Sequence, residues 1–404
     1  MEHAVDVLIV GGAFVGGTLA SALGQAGVTA AVVDTADPAA QAAPDYDGRA
    51  SSLAVTSKKL LDGVGLWAPI ADNTNPIEDI RVTDNRSPLF LHYDHREVGD
   101  EPFGYMVENQ DIRRAVQTRL PGLSDTVTVL APERITAFER DAAGVRAWLA
   151  GGDTVRARVI VGCDGRPSAT RRAAGIPITR WDYGQTGIVL TVRHEIPHDN
   201  VAQERFLPAG PFAILPLKGN RSCIVWTERT ETAPLITNLD SDAFHKELER
   251  RFGRYLGDLA VESPVWSYPV SIQFTRQFVS RRLALAGDAA HGMHYIAGQG
   301  MNMGLRDAAA LAEVLVDARR LGLDVGDSSV LERYQRWRRF DTMLMLALTD
   351  NLNRLFSNSI PPVKLARDLG LGVVDKLPPL KRTFMRHAMG QAGDLPRLMR
   401  GHGL

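Results

Sequence analysis

The chain opens on Val5–Val10, apolar except at Asp6, then a glycine cluster, the small-residue stretch Thr18–Ala26 and a second apolar run, Thr29–Val33. Continuous apolar runs of this length read as strands buried on both faces, and the small-residue stretch between them as a helix. Strand, glycine turn, helix, strand is the opening of a dinucleotide-binding fold. A loop rich in alanine, proline and aspartate follows and ends near Arg49, after which Ser57–Leu66 looks helical.

From Ile77 to Tyr105 the pattern shortens to extended pieces such as IRVTD and LFLHY, separated by turn residues. Asn109–Leu120 reads as a helix closed by Pro121-Gly122, and short strands follow from Ile135, with a hairpin signal at Gly151-Gly152-Asp153. Arg158–Cys163 is a buried strand running into Asp164-Gly165, and Leu283–Ala286 repeats that pattern into Gly287-Asp288. Between them, Gly187–Arg193, Ala213–Leu217 and Ser222–Thr227 are strand-like. A long helix is predicted over Gly304–Arg319, with helices dominating the remainder. The expectation is an α/β nucleotide domain in three pieces, 1–76, 106–180 and 278–345. A mainly antiparallel sheet domain is inserted as 77–105 and 181–277, and 346–404 is a C-terminal helical segment. A ligand crevice is expected between the two domains.

Composition narrows the function. Lysine plus arginine is 46 against 47 acids, which offers no electrostatic case for a nucleic-acid partner. Cys163 and Cys223 lie in apolar runs without metal-ligand spacing, so both read as core residues and no metal is expected. The first residues lack the basic start of a signal peptide, and no uncharged apolar run approaches the roughly 18–20 residues that cross a bilayer. A cytoplasmic protein, soluble or peripheral on the membrane's inner face, is expected.

Gly11, Ala13 and Gly16 occupy the positions of a GxGxxG turn, with Gly12 between them and Asp34 following 23 residues after the first. The glycines allow a tight turn and close helix packing, the helix start faces a pyrophosphate, and Asp34 can accept from a ribose diol. Ala13 replaces the usual second glycine and is tolerated only if it avoids a left-handed backbone. This site alone does not separate FAD from NAD.

Two later motifs do. VGCDGRPSATR sets Asp164 and Gly165 after a buried strand, and LALAGDAAHGMHYIAGQGMNMGLRDAAAL does the same with Gly287 and Asp288 before a second glycine-rich helix start. A carboxylate at a strand end suits a polyol, and a helix start suits the negative charge of a reduced flavin. With VGGAFVGG these stretches resemble the single-component FAD-dependent aromatic hydroxylases of the p-hydroxybenzoate hydroxylase fold. IAGQGMNMGLRD, DGRASSLAVTSKKLLDGVGLW, GPFAILPL and the C-terminal RLFSNSIPPVKLARDLGLGVVDKLPPLKRTFMRHAMG are similar to the ubiquinone-biosynthesis hydroxylase family in particular.

The resemblance implies an FAD-binding domain of glutathione-reductase-like Rossmann type carrying the inserted sheet. It implies that Gly11, Gly16 and Asp34 hold the ADP half of FAD, Arg49 the central portion, and Asn109 a flavin contact. Asp164 and Gly165 form the internal DG motif, Asp288 binds the ribityl and pyrophosphate region, and Gly298, Gln299, Gly300, Met301 and Asn302 pass beneath the pyrimidine side. One departure stands out: Tyr295 replaces the proline usual after His291, so it enlists either as a pocket residue or as a packing replacement. His291 and His294 read as structural hydrogen-bonding residues or as proton carriers.

The chemistry so implied is reduction of FAD by NADH or NADPH, reaction with dioxygen to a C4a-hydroperoxide, and transfer of one oxygen to a polyprenyl-phenol ring. Phe206, Phe212, Ile214 and Leu215 are candidate pocket walls, about half of which strand alternation must turn away. Trp226 reads as packing, and no residue is assigned as the phenol's base. Residues 351–404 hold nine Lys plus Arg and three Asp, interleaved with apolar residues, which suits anionic lipid, partner enzymes of the pathway, or a solvated helix face. A same-fold hydroxylase of a soluble phenol, a flavin oxidoreductase without oxygen insertion, and a non-enzymatic scaffold remain the alternatives.

Overall fold

The computed structural model describes residues 1–43, 46–84, 90–356 and 377–404. Its first sheet is built on β1 (Glu2–Val10), which pairs in parallel with β2 (Ala30–Val33) and with β11 (Thr154–Gly162). β8 (Val127–Leu130) extends one side and β19 (Leu283–Leu285) the other, both in parallel. The hairpin predicted at Gly151–Asp153 joins β10 (Val145–Leu149) to β11, and β9 (Ile135–Arg140) pairs with β10. Every residue of β2 and β19 is buried, which is why these strands read as unbroken apolar runs.

Helix α1 (Phe14–Gln25) packs between this sheet and α5 (Gln299–Arg320), the long helix of the molecule's centre. The latter begins five residues before the predicted Gly304, because Gly298 adopts a left-handed backbone (φ 62°) that turns the chain into the helix axis. Of the other nucleotide-side helices, α3 (Asn109–Arg119) falls on the predicted Asn109–Leu120, whereas α2 (Val55–Gly63) begins two residues before the predicted Ser57 and ends three before Leu66.

The second sheet has nine strands and is antiparallel except where β13 (Val201–Leu207) pairs with β5 (Asp79–Asp84). Its spine is the 17-residue strand β12 (Ile178–His194), flanked by β15 (Arg221–Arg229) and β17 (Trp266–Thr275). β14 (Gly210–Leu217) bridges β15 to β13, and β6 (Phe90–Asp94) closes the edge beyond β5. A short strand, β20 (His291–Gly292), adds to β17 and ties this sheet to the nucleotide side.

Alternation gives this sheet two faces. Ile188, Leu190, Phe212, Ile214, Ile224 and Trp226 bury against α4 (Ser241–Phe252) through Phe244, Leu248 and Phe252. Val189, Leu215, Cys223 and Val225 point the other way, toward Met106 and Val55 of the nucleotide side. A small third sheet, β3 (Ala50–Ala54), β7 (Gly104–Glu108) and β4 (Asn75–Ile77), sits between the two. α6 (Ser328–Phe356) packs on α5, and α7 (Pro378–Ala388) returns Met385 and Met389 to the same seam. No helix among the described residues is long and apolar enough to cross a membrane.

Candidate functional site

At the first glycine turn the fit is set by backbone contact. A Cβ on Gly11 (φ 96°) would stand 2.5 Å from the Cys163 carbonyl oxygen, and one on Gly16 would stand 1.8 Å from that of Gly11. Ala13 has φ −72°, so its methyl meets no left-handed strain and the condition set by the sequence is satisfied. Asp34 closes the turn: its carboxylate accepts from the Gly12 amide (2.6 Å) and the Ala36 amide (2.8 Å). Remaining lone pairs on that carboxylate can take a ribose diol.

Behind the turn lies a charged cluster that the sequence reading found only in part. Asp47, buried, accepts from both nitrogens of the Arg49 fork (2.8 and 3.0 Å), from Asn109 Nδ2 (3.1 Å) and from Arg113 Nη1 (3.0 Å). Burial alone would raise the Asp47 carboxyl, yet the Arg49 guanidinium and the further donors hold it well below the usual carboxylate range. Ser51 Oγ in turn donates to Asn109 Oδ1 (2.7 Å). Asn109 is thus engaged with protein groups, while Arg49 stacks over the Tyr268 ring at 4.7 Å from its centroid. Asp47 and Arg113 were missed, although Arg113 stands one helical turn beyond Asn109 on the same face. The buried Arg113 Nη2 has no partner among the described residues, and its guanidinium lies 5.6 Å from the Phe14 ring of the glycine turn.

The DG and GD turns are brought side by side. Asp164 accepts from Ser168 Oγ (2.5 Å) and the Thr170 amide (2.9 Å), so its carboxylate organises the turn beyond Gly165 (φ 74°). Asp288 is exposed and pairs with Arg166 Nε (3.2 Å), whose other nitrogens donate to Ser271 and the Met293 carbonyl. Gly287 (φ 61°) donates its amide to Asp307 Oδ2 (3.0 Å). Asp307 is fully buried and also receives His291 Nε2 (2.6 Å) and Arg338 Nε (2.8 Å). His291 therefore faces the interior as a brace of the GD turn. The role of Asp307, hidden in the apolar helix pattern, has no signal in spacing alone.

The start of α5 faces β3. A Cβ at Gly298 would meet Ser52 Cβ at 3.0 Å, whereas one at Gly300 would meet nothing within 4 Å, so the helix start is open at that point. Asn302 is fully engaged: it accepts from the Ala54 amide and Ser57 Oγ, and donates to the Ser52 and Gly298 carbonyls. Gln299 is buried, and Met301 packs at the margin of the main core. The amides of the first helical turn are left for an anionic ligand edge.

The inserted sheet supplies the opposite wall. Phe206 clusters with Leu91 and Ile296, toward the loop that leads into α5. Phe212 and Ile214 do not: they point into the core with Trp226 on the α4 side, because residues one position apart in a strand face opposite ways. Leu215, of the other parity, packs with Tyr268 and Val225 on the nucleotide side. Tyr295 has φ −74°, a value a proline ring would also hold, and its hydroxyl pairs with Thr227 Oγ1 at 2.6 Å. His294 accepts the Ile296 amide at Nδ1 (3.2 Å) and, being neutral, donates from Nε2 to Gln185 Oε1 (3.3 Å). Burial, reinforced by the Arg166 charge, lowers it to about 3.

The unpartnered Arg113 nitrogen, the glycine turn without room for side chains, and the open start of α5 fit a dinucleotide ending in an anionic ring. With an inserted sheet across the crevice, they define the class of FAD-dependent monooxygenases. The FAD binding domain family matches residues 4–346. The chain is 55% identical to the ubiquinone hydroxylase UbiL of Rhodospirillum rubrum, over 99% of its own length and 94% of that protein's. Identity is 33% to the 3-demethoxyubiquinol 3-hydroxylase of Escherichia coli, over 95% of this chain and 98% of that one. The fold is shared with p-nitrophenol 4-monooxygenase PnpA of Pseudomonas putida DLL-E4 at TM-score 0.80 and 20% identity, covering 97% of this chain and 100% of that one. The chain belongs to the FAD-binding family of flavoprotein monooxygenases and is related to the ubiquinone hydroxylases.

Proposed function

We propose that the chain hydroxylates the aromatic ring of a polyprenyl-phenol intermediate of ubiquinone biosynthesis, with NADH or NADPH as electron donor. The observation that carries this reading is the 55% identity to a ubiquinone hydroxylase across 99% of the chain. Bound FAD would supply the redox chemistry, taking two electrons from the nicotinamide and activating dioxygen. In this reading the Gly11–Gly16 turn and α1 start hold the pyrophosphate, and Asp34 holds the ribose. Arg49 and Asp288 flank the central portion, and the amides of Gly300, Met301 and Asn302 stabilise negative charge on the pyrimidine edge. Phe206, Leu215 and Tyr295 wall the ring's pocket and keep water from it.

A tail needs an apolar path. A groove of about 140 Å³ runs between α5, α6 and the C-terminal residues, lined by Met303, Phe340, Leu344, Met345 and Leu348, with Arg306, Asp341 and His387 also on its wall, and reaches Gln299 and Asn302 at the α5 start. Its mouth exposes Phe340 and Leu344, which supports peripheral contact with a membrane that stores the prenylated substrate. Of the basic 351–404 segment, residues 357–376, with three of its nine Lys plus Arg and two of its three Asp, lie outside the described residues.

The test is reduction of the FAD-loaded protein by NADH or NADPH without oxygen, then ¹⁸O₂ with and without 2-geranylphenol in detergent. Product heavier by one labelled oxygen is expected with the prenylphenol. Labelled product only from unprenylated phenols would establish the soluble-phenol alternative, and reduction without incorporation would establish a flavin oxidoreductase of another kind.

A further inference from the structure

The reaction needs a group to take the phenol's proton, since the ring becomes nucleophilic enough to accept oxygen as its O–H bond weakens. The two histidines and the DG-turn carboxylate singled out by the sequence are already engaged. His291 is engaged with Asp307, His294 is held neutral between Ile296 and Gln185, and Asp164 is tied to its own turn.

The second sheet contains a carboxylate in a place where a sheet normally puts a hydrocarbon. Glu204 lies in the middle of β13, between Ala202 and Phe206 on the same face. Ala202 packs with Met106 and Val189 on the nucleotide side, and Phe206 packs with Ile296, so the face that carries Glu204 is the one turned to the crevice. Directly across from it stand Val82 on β5 and Ala213 on β14, and beyond Ala213 comes Val225 on β15. The row is thus valine, glutamate, alanine, valine, with one carboxylate among apolar neighbours and only a methyl group at Ala213 to fill the space beside it.

Glu204 has no hydrogen-bond or ion-pair partner among the described residues. The neighbouring Arg205 turns to the opposite face, where it donates to the Arg251 and Phe252 carbonyls. Arg81 shares that opposite face, near Tyr255. The ionisable groups on this side of the sheet include Asp84 and Tyr93 from β5 and β6, Cys223 and Arg221 (paired with Glu108) from β15, Tyr268 from β17, and Tyr295 from the loop before α5. Tyr295 lies within electrostatic reach: burial raises its phenol most, the Thr227 hydroxyl counters, and the Glu204 carboxylate raises it further. Tyr295 already bonds Thr227 and sits over Gly187, where a Cβ would meet its hydroxyl at 3.0 Å. A carboxylate without a partner, a small residue beside it, and a fixed aromatic next to the α5 loop form a pocket floor with one vacant acceptor.

We propose that Glu204 is the catalytic base that accepts the proton of the substrate's phenolic hydroxyl; this rests on the prenylphenol reading above. The O–H bond breaks, its proton bonds to a Glu204 carboxylate oxygen, and its electron pair stays on the phenol oxygen and pushes into the ring as the new C–O bond forms. The proton lost from the oxygenated ring carbon passes to the second oxygen atom as that atom leaves as water, which restores aromaticity, and the Glu204 proton returns to the phenol oxygen. One atom of dioxygen enters the ring and the other leaves as water, with two electrons from the reduced nicotinamide. Burial pushes the Glu204 carboxyl up to about 7, which places its basic form at neutral and higher pH and brings its proton affinity nearer that of a phenol.

The test uses the FAD-loaded full chain with 2-geranylphenol as substrate and compares the wild type with Glu204→Gln and Glu204→Asp. The Gln variant is expected to keep its FAD and its reduction by nicotinamide, to lose on the order of 10²-fold or more in oxygenation rate, and to lose the acid limb of kcat/KM. The Asp variant should recover part of the rate together with the limb. A Gln variant that oxygenates at the wild-type rate with the wild-type pH profile overturns the proposal. Should that variant fail to hold FAD, the wild type decides, using a series of ring-fluorinated 2-geranylphenols. An acid limb that stays near pH 7 across the series supports Glu204, and one that follows each phenol's own acidity overturns it. Failure of the underlying reading looks different: the wild type itself then forms no oxygenated prenylphenol, and the proposal falls with it.

Discussion

Tyr295 shows how one residue can keep a backbone while changing a surface. Its φ of −74° lies where proline would fix the chain, so the loop into α5 keeps the path that a proline would impose. What holds it in place of a ring closure is the 2.6 Å bond to Thr227, which is itself buried. Tyr295→Phe leaves the Thr227 hydroxyl without that partner and should cost about 1–2 kcal/mol. The check is a urea midpoint with FAD content measured alongside: a lower midpoint with FAD retained is expected, and an unchanged midpoint would show that the phenol adds no stability. At Ala13 the same reasoning runs the other way, since a helix-compatible backbone makes the missing glycine unnecessary.

Between elements, the brace formed by Asp307 decides where the GD turn sits. One carboxylate on α5 takes the Gly287 amide, His291 Nε2 and Arg338 Nε of α6, so a turn, a strand and two helices meet at a single buried charge. Burial by itself would raise this carboxyl, but His291 and Arg338 together hold it below the ordinary 3.8. A lowered folded value stabilises the fold at pH above 3.8 and that contribution disappears as pH falls through the folded value. Asp307→Asn strands the fully buried Arg338 with Asp341 as its one carboxylate partner among the described residues, so a loss of about 3–5 kcal/mol is expected at neutral pH. Urea unfolding at pH 7 and pH 3 tests this: the gap between wild type and variant should narrow in acid. A gap that is equal at both values would assign the loss to shape instead of charge.

For the molecule as a whole, the second sheet packs on the nucleotide side through Val189, Leu217 and Cys223 against Met106 and Val55, and Met385 and Met389 from the C-terminal residues join that seam. Phe340 and Leu344 on α6, which line the groove, remain exposed, as does Phe384 on α7. The protein is expected to sediment with anionic phospholipid vesicles, and a Phe340→Glu, Phe384→Glu double variant to sediment several-fold less. Equal sedimentation of the two, or none for the wild type, would remove the membrane contact from the functional reading. Much of this architecture was legible beforehand. The buried parallel strands, the three glycine turns and the long helix follow from short-range pattern, because a strand covered on both faces must be apolar throughout and a turn against backbone must be glycine. Phe212 and Ile214 could not be placed that way, since an apolar strand looks alike from either face and only the helix covering one side tells which is which. Nor could Asp47, Asp307 and Glu204: each takes its character from partners, or from the lack of them, that the fold brings from distant parts of the chain. The sequence by itself thus determined the nucleotide-binding turns and the family, which are local features. The tertiary structure alone decided which face of the inserted sheet meets the crevice and which carboxylates are tied or left vacant there, because burial and pairing belong to surfaces that exist only once the chain has folded.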